Sequence, residues 1–347
     1  MNNKIKNTLI LFLLAPILIG CGKKANSMVE SRRYQFENIF DISYTPNASS
    51  RADGWFTDAG SWIGFTIPED NNWINGFCGP YSLDMSRRQW LAQSAITVGF
   101  ANHPDDTFTP DSINYFPGEV YIASHSPHGW VEQTLHFIDA SNALLTIKSS
   151  QQKSLFLTAN QWGDDVEVTT NKNHVTAQHP SGEIVLLTFT SDFDIVQTPN
   201  NYQATGNVDN KETHVVISFF TSEKELMVGN QRSLQILNDY KQHLVENEKR
   251  WNGYLTKTLR TDMKPEYNRI AAKAVVTLMS NGRTHRGGLL HEGIAPSHAV
   301  VYFVGFWAWD SWRFSAALAK IHPELAKNTI RSMFDYQQPD GMIIDCI

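Results

Sequence analysis

The stretch Gln133-Thr-Leu-His-Phe-Ile-Asp-Ala-Ser-Asn-Ala-Leu-Leu-Thr-Ile-Lys148 decides how the larger part of the chain is read. Two runs rich in β-branched and apolar residues, Gln133 to Ile138 and Ala143 to Lys148, flank Asp139-Ala-Ser-Asn142. The Asp, Ser and Asn side chains of that link can bond the local backbone, which favours a turn over continued extension. The stretch therefore reads as strand, turn, strand. Working outward, Ser154 to Ala159, Glu183 to Thr190 and Thr213 to Phe220 read the same way. Asn160-Gln-Trp-Gly163, His179-Pro-Ser-Gly182 and Thr198-Pro-Asn-Asn201 are breaks between strands. Strands so spaced, without a repeat of fixed period, indicate an antiparallel sandwich or barrel over residues 34–222 rather than a propeller or solenoid.

The pattern changes near Ser222. Leu237, Tyr240, Leu244, Trp251, Tyr254 and Leu255 recur at three- and four-residue multiples without a proline, which predicts one long amphipathic helix inside a helical linker, 223–264. A second helix starts behind Pro265, with Tyr267, Ile270, Ala271, Ala274, Val275 and Leu278 on one side. Gly282 to Gly293 reads as a connecting loop, followed by helices over Ser311 to Ile321 and Pro323 to Gln338. Pro323 suits a first helical position and Glu324 the positive helix start. Three helices cannot enclose a core of their own. The apolar end Met342 to Ile347 has no polar cap, so 265–347 is expected to be the incomplete opening of a helical domain.

The chain has 347 residues, 41% hydrophobic and 18% charged, enough apolar material for about two domains and too little charge for disorder. The formal net charge of −6, with no Lys/Arg-rich patch, argues against a nucleic-acid partner. Lys4 and Lys6 precede an apolar run from Leu9 to Ile19 that is shorter than the roughly 20 residues a bilayer span needs. Residues 1–21 therefore read as a signal peptide. Its end, Leu18-Ile19-Gly20-Cys21, resembles a bacterial lipobox, which implies a lipid on Cys21, a flexible tether over 22–33 and a periplasmic protein anchored in the outer membrane. Cys78 and Cys346 are expected to stay unpaired.

The chemistry concentrates in Phe306-Trp307-Ala308-Trp309-Asp310-Ser311-Trp312-Arg313, where three of the ten tryptophans surround one carboxylate. Trp309, Trp312 and Arg313 share a helical face. One reading makes Asp310 an N-cap with the indoles as core filler. The other makes it the floor of an aromatic pocket that accepts hydrogen bonds from sugar hydroxyls or a water. Trp55, Phe56, Trp62 and Phe65, with Gly54, Gly60 and Gly64, form a second cluster, read as an edge loop or as a group beside that pocket. His125 and His128 lie in a Pro/Gly loop without a third ligand at suitable spacing, so no metal site is expected. Nucleophile-elbow, phosphate-loop and dinucleotide signatures are absent.

Several of these segments together resemble glycoside hydrolase family 63, in its bacterial periplasmic α-glucosidase-like branch. They are Asp58-Ala-Gly-Ser-Trp-Ile-Gly64, Lys249-Arg-Trp-Asn-Gly-Tyr-Leu-Thr-Lys-Thr-Leu259, Ala295-Pro-Ser297, Trp309-Asp310-Ser311-Trp312, His322-Pro-Glu-Leu-Ala-Lys-Asn-Thr-Ile-Arg331 and Asp340-Gly-Met-Ile-Ile-Asp345. The resemblance implies a β-supersandwich, helical linkers and an (α/α)6 barrel of which this chain holds the start. It implies inverting hydrolysis of α-glucosidic bonds, with an acid and a base about 6.5–9.5 Å apart to admit a water. Neither of those two groups falls on a position of this chain. The matching aspartate, Asp310, would position sugar or water, and Trp307, Trp309 and Trp312 would wall the subsite. The calcium of that branch also lies downstream, so no cofactor is expected within this chain. An oligosaccharide substrate, a monomeric state and membrane contact only through the lipid anchor complete the expectation. Related barrels acting on mannosylglycerate, glucosylglycerate or trehalose, and a non-catalytic carbohydrate-binding lipoprotein, are the alternatives.

Overall fold

The computed structural model describes residues 31–47, 52–206 and 212–347. The expected leader, Cys21 and residues 22–30 of the expected tether lie outside the described residues. β1 (Ile63–Thr66), β2 (Cys78–Ser82), β3 (Ala92–Phe100), β4 (Thr109–Phe116) and β5 (Glu119–Ser126) lead into the hairpin of β6 (Gly129–Asp139) and β7 (Asn142–Ser149). β8 (Leu155–Trp162), β9 (Glu167–Asn171), β10 (His174–Gln178) and β11 (Ile184–Phe189) follow. β12 (Phe193–Thr198), β13 (Asn201–Gly206) and β14 (Glu212–Phe220) close the β part.

The strands form two sheets, β1-β2-β3-β8-β13-β12 and β4-β5-β6-β7-β14-β11-β10-β9. In the central hairpin Leu135 stands opposite Leu145 and Gln133 opposite Ile147. Leu135, Phe137, Leu145 and Ile147 share one core with Val98, Phe100, Leu157 and Tyr202 of the other sheet, each at most 3% exposed. Two separate sheets closing on one core make a sandwich, not a barrel.

β7, β11 and β14 are apolar on both faces for a reason that lies outside the sheet. Leu144 and Val216 point away from the main core and are covered by Ile236 of α1 (Glu223–Asn238). Ile184, Leu186 and Phe220 meet Leu226 of the same helix. Gly229 allows the close approach, because a Cβ there would lie 2.1 Å from the Phe220 ring.

The predicted single long helix is in fact two. α1 ends at Asn238 and α2 (Tyr240–Thr258) begins after Asp239, whose φ of −110° and ψ of 23° leave the helix. Asn and Asp are poor helix formers because their side chains compete for nearby backbone groups. The periodicity hides this break, since Leu237, Tyr240 and Leu244 continue one apolar patch across it. Trp251, Tyr254 and Leu255 of α2 then enter the main core.

The start of the fold also differs from expectation. Ser31 and Arg33, read as tether, are buried, and Arg33 forms an ion pair of 2.7 Å with Glu119. α3 (Pro265–Ser280) buries Ala272, Val275, Val276 and Met279, leaving Tyr267 and Ile270 of the predicted apolar side exposed. The glycine-rich connection carries a short antiparallel ladder, β15 (Gly282–Arg283) with β16 (Gly293–Ile294). α4 (Ala308–Leu318) and α5 (Pro323–Phe334) follow. Residues Ser31–Ile347 pack as one unit. Among the described residues no helix is long and apolar enough to cross a membrane.

Candidate functional site

The Asp310 segment is shaped by backbone pairing with the last residues of the chain. Phe306 N–H donates to Ile347 O at 2.8 Å, Ile347 N–H returns a bond to Phe306 O at 3.0 Å, and Ala308 N–H donates to Asp345 O at 2.8 Å. Gly293 permits the fit beneath, because a Cβ there would lie 2.5 Å from the Phe306 ring. The bridge holds Trp307 extended, at φ −93° and ψ 131°, so Trp307 occupies the N-cap and the helix starts at Ala308.

Asp310 is therefore inside the first turn and does not cap the helix, which overturns the capping reading. Its charge still faces the positive helix start, an interaction worth about 0.3–1 kcal/mol. The carboxylate is half-buried and has no hydrogen-bond or ion-pair partner among the described residues.

Aromatic rings surround it on an open face. Trp309 is 62% exposed, and the Arg313 guanidinium lies 4.1 Å from its ring centroid, as their spacing of four predicts. Trp312, 38% exposed, tilts against Phe334 with centroids 6.1 Å apart. Trp307 meets Phe303 at 6.2 Å, and its indole N–H is buried without a partner. Asp310, Trp309 and Trp312 thus stand together on one helix, but on an open face and not on the floor of a closed pocket.

A second centre joins two of the segments that carry the family resemblance. Asp58, buried on the sandwich, accepts from Arg250 Nη1 at 2.9 Å, Trp251 Nε1 at 2.8 Å and the Ala59 N–H at 2.7 Å. Burial alone would push Arg250 down, but the Asp58 charge and hydrogen bonds reverse this and hold it above its ordinary value. A cavity of about 150 Å³ alongside is walled in part by Tyr254, Arg283, Glu292 and His322. Arg283 is pushed down to about 9 by burial and then by the charge of Arg88. The Asp58 carboxylate is saturated, so it clamps the sandwich to α2 and is not itself a free acid. Each segment is conspicuous in the sequence, but their pairing is not. The two residues lie 192 positions apart, and no local signal links them.

The other candidates resolve differently. Trp55, Phe56 and Phe65 are buried, while Trp62 donates its indole N–H to Thr284 O at 3.1 Å. Trp55, Phe56 and Phe65 are packing, and Gly60 of the same cluster lines the cavity beside Asp58. His125 pairs with Asp111 at 2.7 Å. His128 pairs with Asp106 at 2.8 Å and stacks on His103, neither of which its own loop supplies. Cys78 is buried and Cys346 exposed, both as free thiols.

No known protein-family profile matches the chain. Its fold is similar to that of a GH92-family glycosyl hydrolase, with a TM-score of 0.56 and 11% identity over 87% of this chain and 48% of that one. It is also similar to the family GH92 alpha-mannosidase from Bacteroides thetaiotaomicron, with a TM-score of 0.55 and 11% identity over 92% of this chain and 51% of that one. A structure of the same mannosidase in complex with mannoimidazole gives a TM-score of 0.54, 12% identity, and coverage of 92% and 50%. The chain spans about half the length of these structures. The fold is therefore glycosidase-like, a β-sandwich followed by helices. These neighbours belong to family 92, not to the family 63 that the motifs resemble.

Proposed function

We propose that this chain is the sandwich and first helical part of a lipid-anchored periplasmic glycosidase that hydrolyses α-glucosidic bonds in oligosaccharides with inversion. The observation that carries this reading is a half-buried carboxylate, Asp310, without a partner among the described residues, on the same helix as two exposed indoles. A carboxylate partly withdrawn from water gains by accepting hydrogen bonds from a ligand. Sugar hydroxyls or an attacking water supply such donors, and Trp307, Trp309 and Trp312 supply flat apolar surface for a pyranose ring. Asp310 positions its ligand; the proton donor and the base of an inverting pair belong to residues beyond those matched here. The fold shared with an alpha-mannosidase favours a second reading, α-mannoside hydrolysis with the same roles for the same residues.

The test uses the longer protein that carries the acid and base, assayed on aryl α-glucosides and α-mannosides. Asp310→Asn should lower kcat by about 10²-fold, the usual scale for losing one preorganised charged contact, while stability falls by no more than about 1 kcal/mol. A near-normal kcat would remove Asp310 from the site. The 347-residue chain alone should give no turnover. Anchoring is tested separately: radiolabelled fatty acid should enter the wild-type protein and be lost in Cys21→Ser, and equal labelling of both would defeat the lipobox reading.

A further inference from the structure

The histidines set aside for lack of a third ligand acquire one through the fold. The β3–β4 loop, 101–108, and the β5–β6 turn, 127–128, meet at one end of the sandwich. They bring together His103, Asp106 and His128, each offering one ligand atom, all within 4.8 Å of one another. The Asp106 side chain is 8% exposed, yet no lysine or arginine pairs with it. Its Oδ2 accepts from Ser126 Oγ at 2.6 Å, and its Oδ1 lies 2.8 Å from His128 Nδ1. The His103 and His128 rings stack face to face, with centroids 3.5 Å apart and planes 3° from parallel.

We infer that His103, Asp106 and His128 form a site for a divalent transition metal, with Zn²⁺ the ion that suits them. Two imidazoles and one carboxylate are the borderline donor set that zinc takes, with water at the fourth position. Ser126 acts as the outer support that such sites require, fixing the carboxylate from behind. The ion must lie in the plane of each imidazole, so binding turns one of the stacked rings about its Cβ–Cγ bond. The metal–ligand bonds replace the Asp106–His128 hydrogen bond, and any proton on the ligating nitrogens passes to solvent. The ion would tie the β3–β4 loop to the β5–β6 turn. Sugar chemistry has no part in the argument, so it stands or falls apart from the glycosidase reading.

The test is calorimetric titration of the chelator-stripped chain with Zn²⁺, paired with thermal unfolding in its presence and absence. One ion per chain and a raised Tm are expected. His103→Ala, His128→Ala and Asp106→Asn should each weaken binding by about tenfold or more, and Ser126→Ala by about tenfold. His128→Gln, which keeps side-chain bulk, should lose binding while its circular dichroism stays unchanged. His125→Ala is the control, since that residue lies near the end of β5, beside the turn, but pairs with Asp111. No binding at micromolar Zn²⁺, binding that survives His128→Gln, or equal loss in His125→Ala would overturn the assignment.

Discussion

The sandwich and the helical segment behind it both carry clusters of aromatic residues but dispose of them in opposite ways. Phe137, Phe189 and Tyr202 are closed inside the sandwich, and even the outer faces of β7, β11 and β14 are roofed by α1. In the helical segment, Tyr302, Trp309, Phe334 and Met342 stay exposed, together with Tyr267 and Ile270 of α3. The carboxylates follow the same division. Asp58 at the junction is fully engaged by Arg250, Trp251 and its neighbouring backbone, whereas Asp310 has no hydrogen-bond or ion-pair partner among the described residues. Saturated groups hold a fold together. Unsaturated ones beside apolar surface mark where something else binds. Function is therefore sought on α4 and stability at the junction.

This contrast can be broken most directly at Asp58. Replacing one partner of a buried ion pair strands the other, so Asp58→Ala should cost about 3–5 kcal/mol in urea unfolding. Arg250→Ala should behave alike, with a strong coupling between the two in a double-mutant cycle. A loss under about 1 kcal/mol would show that the clamp contributes little. Acid should find the sandwich next. Burial pushes His179 down to about 4, and its Nε2 is buried without a partner. The unfolded chain takes up that proton near 6.5 while the fold resists it until about 4, so stability is complete above 6.5 and declines as pH falls through that interval. At about 1.4 kcal/mol per unit, the decline by pH 4 is roughly 3 kcal/mol. His179→Gln should flatten the curve of urea midpoint against pH; an unchanged slope would mean that this histidine titrates normally. The smallest effect is expected at Trp309, where truncation to alanine should change stability by no more than about 0.5 kcal/mol despite the size of the side chain. A cost of several kcal/mol in the same urea experiment would place Trp309 among the packing residues and erase the division.

Much of the sandwich was legible. Gln133 to Ile138 and Ala143 to Lys148 fall within β6 and β7, and Thr213 to Phe220 within β14; β7 and β14 are buried on both faces and so write long apolar runs, whereas β6 largely alternates. The strands that went unread are largely edge or half-exposed ones. β4 begins Thr109-Pro-Asp-Ser, β9 reads Glu-Val-Thr-Thr-Asn, and β12 interleaves Asp194 and Gln197, so none of them stands out from a loop by composition. At the candidate site, the cluster of one acid and three indoles was visible, and so was the Trp309–Arg313 pairing at a spacing of four. That Asp310 lies inside the helix and not at its cap was invisible, because the pairing of residues 306–308 with residues 345–347 sets where the helix begins.

Local conformation, the division into a β part and a helical part, and the kinds of side chain available for chemistry follow from neighbours along the chain, and these could be read directly. Partnership could not. Whether a carboxylate is clamped like Asp58, left open like Asp310 or gathered with two imidazoles like Asp106 depends on segments tens to hundreds of residues away. Those segments are brought within a few ångströms only when sheet pairing and core closure are complete. The break at Asp239 belongs with these: poor helix propensity permits it, and it takes effect where α1 stays on the outer face of a sheet and α2 turns into the core. Burial and hydrogen bonding are energies of contact in space, and the order of residues specifies them only through the fold that the whole chain adopts.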